Sequence, residues 1–73
     1  MQNDHANAID NFNHALSFAP KDANAYFYRG MSYASQGNYD RAIADCEKGL
    51  QLQPSHEFAR EVREILKIWR SKK

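Results

Sequence analysis

The sixteen residues YDRAIADCEKGLQLQP (residues 39–54) repeat the pattern of HANAIDNFNHALSFAP (residues 5–20), thirty-four positions earlier. Identical residues stand at four matching positions, as the pairs Ala8/Ala42, Ile9/Ile43, Leu16/Leu50 and Pro20/Pro54. A fixed period of this length is typical of helical-hairpin repeats, in which no unit can bury its apolar face without a neighbour. The repeat therefore predicts an all-α fold of antiparallel helical hairpins, stacked as in an α-solenoid.

Four helices and three short turns are expected along the chain. In each helix the apolar residues recur at i, i+3, i+4 and i+7, which puts them on one face. No segment alternates with a period of two residues, so no strand is predicted. The predicted helices cover residues 4–19, 23–36, 39–52 and 56–70.

Helix boundaries are indicated by residues that cap or stop a helix. A short polar side chain before a helix can accept a free N–H of its first turn. Proline and left-handed glycine end helices, here at Pro20, Gly37 and Pro54. The predicted N-caps are Asp4, Asp22, Asn38 and Ser55.

Length and composition restrict the classes of protein that this chain can represent. Its 73 residues are enough for one small domain over residues 1–73, and no apolar run approaches the length of a membrane span. With one cysteine the chain forms no internal disulfide, which favours a reducing compartment, and we predict a cytoplasmic protein. The net charge of +1 does not indicate a polyanionic partner.

Between the two prolines stands a motif of aromatic and small residues: Tyr26-x-x-Arg29-Gly30-x-x-Tyr33, Ala42-x-x-x-Cys46, then Gly49 and Pro54. It resembles the tetratricopeptide repeat, in which W-x-x-L-G-x-x-Y is followed by A-x-x-x-F and a proline. Here Tyr26 replaces the tryptophan, Arg29 the leucine and Cys46 the phenylalanine. The resemblance implies a full repeat over 23–56, a preceding half repeat in the helix 4–19, and a capping helix over 56–70. Gly30 and Ala42 are the small residues that would let two helix backbones approach closely.

The resemblance also implies a function, because the first helix of each hairpin in such arrays lines a concave face. We therefore predict a protein–protein interaction module that presents an apolar groove to a peptide or a helix. An alternative is that Phe27 and Tyr28 pack into the core, against Phe12 or Phe58. The predicted groove residues are Asn24, Phe27, Tyr28, Met31 and Ser35 from the second helix, and Phe58, Glu61, Val62 and Ile65 from the fourth.

One subset of the family grips the acidic C-termini of chaperones with lysine, asparagine and arginine side chains. At the positions that match, this chain has Phe27 and Met31 in its second helix, and Phe58 and Val62 in its fourth. A carboxylate needs charge-assisted donors. The sequence therefore argues against an acidic tail as the partner.

Two other kinds of partner are conceivable. The first helix resembles the second helix of a hairpin whose first helix is missing, so its apolar residues Ile9, Phe12 and Leu16 would pair two copies in a homodimer. The basic end, from Lys67 to Lys73, mixes cations with Trp69 as RNA- or membrane-binding segments do. Because Trp69 continues the apolar stripe of the fourth helix, nucleic acid and membrane are the weaker alternatives.

No catalytic constellation is recognisable in the sequence. The candidate groups are His5, His14, His56 and Cys46, and their spacing fits neither a zinc site nor a phosphate-binding loop. Cys46 stands where the repeat has an apolar residue, so we expect a small buried hydrophobic side chain. We predict that the protein is not an enzyme and needs no cofactor or metal.

Overall fold

The computed structural model describes residues 5–72, with the side chain of His5 left out. Within this range the chain forms four helices and no strand: α1 (His5–Phe18), α2 (Ala23–Ser35), α3 (Tyr39–Leu52) and α4 (Ala59–Ser71). Helix α1 packs on α2, α2 on α3, and α3 on α4. The all-α fold of helical hairpins is thereby confirmed.

Two of the predicted helix caps are present. The side chain of Asp22 accepts from the N–H of Ala25 at 3.3 Å, and the side chain of Asn38 accepts from the N–H of Arg41 at 3.4 Å. Gly37 follows α2 with a φ of +79°, the left-handed conformation expected of a glycine after a helix end. The predicted cap Asp4 lies outside the described residues.

The start of α4 differs from the prediction. The helix begins at Ala59 and not at residue 56, and Ser55 does not cap it. Residues 54–58 form turns instead, in which the N–H of Ala59 donates to the carbonyl of His56. The imidazole of His56 accepts the N–H of Phe58 at 3.0 Å, so a histidine satisfies the donor that the serine was expected to satisfy.

The core is shared by α2, α3 and α4, and it includes the crossing of α2 over α3. Ala42 and Cys46 are fully buried on α3, and Gly30 of α2 lies against them. A Cβ on Gly30 would stand 2.7 Å from Sγ of Cys46 and 3.0 Å from the carbonyl oxygen of Ala42. The predicted close approach of the two backbones is therefore present, and it leaves no room for a side chain at residue 30.

A polar network joins the first three helices. Arg29, which replaces the leucine of the repeat pattern, donates to both carboxylate oxygens of Asp45 at 2.8 and 2.7 Å. A third guanidinium N–H donates to Oδ1 of Asn13 on α1, at 2.7 Å. The hydrogen bonds to Asp45 raise the pKa of Arg29, against the desolvation that lowers it. Arg29 thus connects α2 to α3 through Asp45, and α2 to α1 through Asn13.

Candidate functional site

An apolar hollow of about 230 Å³ opens between α2 and α4. All seven residues of its lining are among those that the sequence predicts for a groove. The hollow is lined by Phe27, Tyr28, Met31, Phe58, Glu61, Val62 and Ile65. Its members come from one face of α2 and one face of α4, as the helical spacing of both segments requires.

A second hollow, of about 380 Å³, adjoins the first and shares Met31 and Ile65 with it. We call the two hollows together the α2–α4 groove. From Phe58 to Ile68 the groove follows eleven residues of α4 and the turn before it, and the ten steps between them span about 15 Å at a helical rise of 1.5 Å per residue. Met31, Ser35 and Ile65 of this second hollow were predicted from the sequence; its other four residues were not, although Ile68 follows Ile65 at i+3. The second hollow is lined by Met31, Ala34, Ser35, Tyr39, Ile65, Ile68 and Trp69.

The groove has a buried floor and an exposed rim. Phe27 and Val62 are 3% and 2% exposed, so they belong to the core and present only part of their surface to the hollow. Tyr28 at 49%, Met31 at 39% and Phe58 at 41% are large apolar side chains that remain open to solvent. Phe27 thus packs inside, whereas Tyr28 lines the open face and also stacks on Phe12.

His56 organises the end of the groove beside Phe58. Its Nδ1 accepts the N–H of Phe58, which leaves the proton on Nε2, where it is donated to Oδ1 of Asn24 at 2.5 Å. The imidazole lies edge-on to Phe27, with ring centroids 4.9 Å apart, and 5.2 Å from the ring of Phe58. Asn24 therefore supports His56 and does not line either hollow. No feature of the sequence indicated this role of His56.

The basic end of the chain is partly neutralised by its own acids. Lys67 pairs with Glu64 at 3.6 Å, and Arg70 pairs with Glu47. Trp69 is buried at 7% exposure and belongs to the core, so its ring is not offered to a base or a lipid. Lys73 lies outside the described residues. At this end of the chain two of the cations are therefore paired with acids, and the aromatic ring is buried.

The residues proposed for self-association are mostly covered within the chain. Ile9 and Leu16 are each 8% exposed, because α1 packs on α2. Ile9 and Leu16 cannot contact a second copy unless α1 first separates from α2. Of the three residues predicted for self-association, only Phe12 is accessible on the folded chain. Phe12 is partly exposed and stacks on Tyr28, with ring centroids 6.0 Å apart. At the end of α1, Phe18 is 89% exposed.

The candidate nucleophiles and metal ligands are dispersed. Burial raises the pKa of the Cys46 thiol to about 12, and the Asp45 carboxylate adds to this effect, so the thiol stays protonated. His14 is exposed on α1, far along the chain from His56. Within residues 5–72, no three histidine, cysteine or acidic side chains come together as metal ligands, and no helix is both long and apolar enough to cross a membrane.

Comparison with known proteins places residues 23–56 in register with the family profile of the tetratricopeptide repeat. The chain is similar to Tetratricopeptide repeat protein 14 of Mus musculus, at 36% identity over 77% of this chain and 7% of the relative. It is also similar to a Protein SGT1 homolog of Bos taurus, at 34% identity over 81% of this chain. The chain spans 18% of the length of that second relative. No solved structure gave a significant match.

Proposed function

Residues 23–56 are a tetratricopeptide repeat, and we propose that the chain uses it to hold an apolar segment of a partner protein in the α2–α4 groove. Repeats of this family generally mediate protein–protein interaction, and the family is not an enzymatic one. The partner and the surface that meets it are the parts that we propose.

The observation that carries the proposal is the half-exposed rim above a buried floor. Tyr28, Met31 and Phe58 keep between 39% and 49% of their surface in water, although they stand side by side around one hollow. Large apolar side chains that stay exposed together commonly mark an interface, and removing them from water on binding is favourable. Methionine and aromatic rings also adapt well to the shape of an apolar partner.

The dimensions of the groove favour a short amphipathic helix as the bound segment. A run of about 15 Å corresponds to about ten helical residues, or three turns. Apolar side chains at i, i+4 and i+7 of such a helix would follow the two hollows in turn, as in other helix-in-groove complexes. An isolated helix of this length is only marginally stable in water, so the segment would fold as it binds.

A synthetic peptide tests the proposal. We would use a tryptophan-free peptide of about fourteen residues, about 21 Å long as a helix, with three leucines at i, i+4 and i+7 and one lysine beside the first leucine. Its binding to the full chain is measured by fluorescence anisotropy of a dye on the peptide. The emission of Trp69, the one tryptophan in the sequence, reports on the second hollow directly.

The matched variants separate the groove from other exposed apolar surface. Met31→Ser/Phe58→Ser removes two side chains of the rim, and we expect the affinity to fall at least tenfold. Phe18→Ser removes a more exposed phenylalanine outside the groove and should leave the affinity unchanged. Circular dichroism checks that each variant keeps its helices. Equal affinity of the wild type and the Met31→Ser/Phe58→Ser variant would contradict the proposal.

A homodimer through α1 is the second candidate, and the exposure of that helix favours it. Ala8, Phe12 and Ala15 are partly exposed on the side where the repeat pattern has a preceding helix. Phe18 adds a nearly free aromatic ring at the end of the same helix. A two-fold axis beside α1 would cover the same surface on both copies.

A further inference from the structure

Glu61 is the one charged side chain among the described residues that line the α2–α4 groove. Its neighbours in the first hollow are Phe58 in the turn before α4, Val62 and Ile65 on α4, and the aromatic and methionine side chains of α2. The ion pairs formed within residues 5–72 join Arg29 to Asp45, Lys67 to Glu64 and Arg70 to Glu47. Glu61 takes part in none of them, so its carboxylate is available to a bound partner.

The carboxylate of Glu61 is exposed in the free chain, at a place where a bound partner would partly desolvate it. A partner that fills the first hollow removes water from the side of Glu61 that faces the apolar lining. Burying a carboxylate without a counter-charge is costly, whereas an opposite charge nearby gains strength as the local dielectric falls. The free energy of binding should therefore depend on the charge that the partner brings next to its first apolar side chain.

We propose that Glu61 makes the groove selective for a cationic amphipathic helix, in which a lysine or arginine lies beside the apolar residue that enters the first hollow. This inference rests on the proposed function of the groove and specifies the partner. The cation pairs with Glu61, and the apolar residues occupy the hollows over Phe27 and Val62. An acidic segment is disfavoured at the same site because its carboxylate would face Glu61.

The experiment compares two peptides on the full chain. One is the leucine–lysine peptide defined above, and the other has glutamate in place of its lysine. We expect the lysine peptide to bind the wild type about two- to fivefold more tightly, the range of one exposed ion pair. The preference should shrink as salt is added, since ions screen the pair.

Variants of Glu61 then test the cause of the preference. Glu61→Gln should abolish it, and Glu61→Lys should reverse it in favour of the glutamate peptide. Glu64→Gln is the matched control: it removes the same charge from α4 at a residue that lines neither hollow, and the preference should persist. A preference for lysine that survives Glu61→Gln would overturn the inference.

The remaining outcomes separate this inference from the function on which it rests. If both peptides bind in the groove with equal affinity, the selectivity is refuted and the proposed function stands. If neither peptide binds, or if Met31→Ser/Phe58→Ser has no effect, the proposed function fails together with the inference. A chain whose solution mass rises with concentration, and falls back in Glu61→Lys, would identify a second copy as the occupant and overturn the proposed partner.

Discussion

The ring of Phe27 lies against the bare backbone of Gly49: a Cβ at residue 49 would stand 2.5 Å from Cε1 of the ring and 2.7 Å from Cδ1. Glycine inside a helix costs about 0.5–1 kcal/mol relative to alanine. Here that cost is offset, because the missing side chain lets the ring of Phe27 approach the backbone of α3 closely. The contact with Gly49 therefore sets the position of the Phe27 ring at the bottom of the first hollow.

Gly49→Ala should therefore destabilise the protein, although alanine is the better helix former. Overpacking costs about 1–3 kcal/mol and the gain in helix propensity is about 1 kcal/mol, so we expect a net loss of up to about 2 kcal/mol in the free energy of unfolding. Urea denaturation measures it. Lys48→Ala, at the exposed neighbouring residue, is the control and should stay within about 0.5 kcal/mol of the wild type.

A smaller ring substitute tests whether the strain is local to this pair. In Gly49→Ala/Phe27→Leu the shorter side chain leaves room for the new methyl group, so the double variant should lose less stability than the two single variants together. If the losses of the two single variants simply add up in the double variant, residues 27 and 49 are not energetically coupled.

Gly30 should be equally intolerant of a side chain. Gly30→Ala forces a methyl group against Sγ of Cys46 and the carbonyl of Ala42. After the gain in helix propensity of about 1 kcal/mol, we expect a net loss of up to about 2 kcal/mol by thermal or urea unfolding. Cys46→Ala removes the sulfur and should recover part of this loss when the two changes are combined. If Gly30→Ala proved as stable as the wild type, α2 and α3 would not cross at this residue.

The ion pair of Arg29 and Asp45 should contribute more to the free energy of unfolding than the exposed pair of Arg70 and Glu47. Asp45→Ala leaves a guanidinium that is 21% exposed without its carboxylate, and we expect a loss of about 1.5–3 kcal/mol. Glu47→Ala is the control, because it breaks the pair with Arg70, in which both side chains are 51% exposed, and should cost at most about 1 kcal/mol. A similar cost for both variants would contradict the structural role of the Arg29 network.

The homodimer candidate makes a prediction that sedimentation can test. If α1 pairs two copies, the chain sediments as a dimer at high micromolar concentration, and Phe12→Asp restores the monomer while circular dichroism shows intact helices. Phe58→Ser, in the groove, should leave that dimer unchanged. A monomer at every concentration, or a dimer that persists in Phe12→Asp, would contradict association through α1.

Most of the fold follows from local patterns in the sequence. The period of thirty-four residues predicts the number and order of the helices. The helix ends are set by Asp22, Asn38 and Gly37, through contacts within a few residues. The groove side chains of α2 were predictable for the same reason, since they share one helix face.

The rest depends on contacts between helices, which a one-dimensional pattern does not contain. Phe27 is the floor of the groove because Gly49 lies opposite it, and Ile9 is covered because α2 lies over it. His56 replaces Ser55 at the start of α4 because its ring reaches both Phe58 and Asn24. Each of these roles is set by a residue distant in the sequence or by the geometry of a turn.

The most direct test of the proposed groove is a titration of the ¹⁵N-labelled chain with the leucine–lysine peptide, followed by NMR. We expect saturable changes in the chemical shifts of the backbone amides of Tyr28, Met31, Phe58 and Ile65. The amide shifts of Asn11 and His14, on the exposed side of α1, should not change. Shifts confined to α1, or to the basic residues from Lys67 to Lys72, would contradict it.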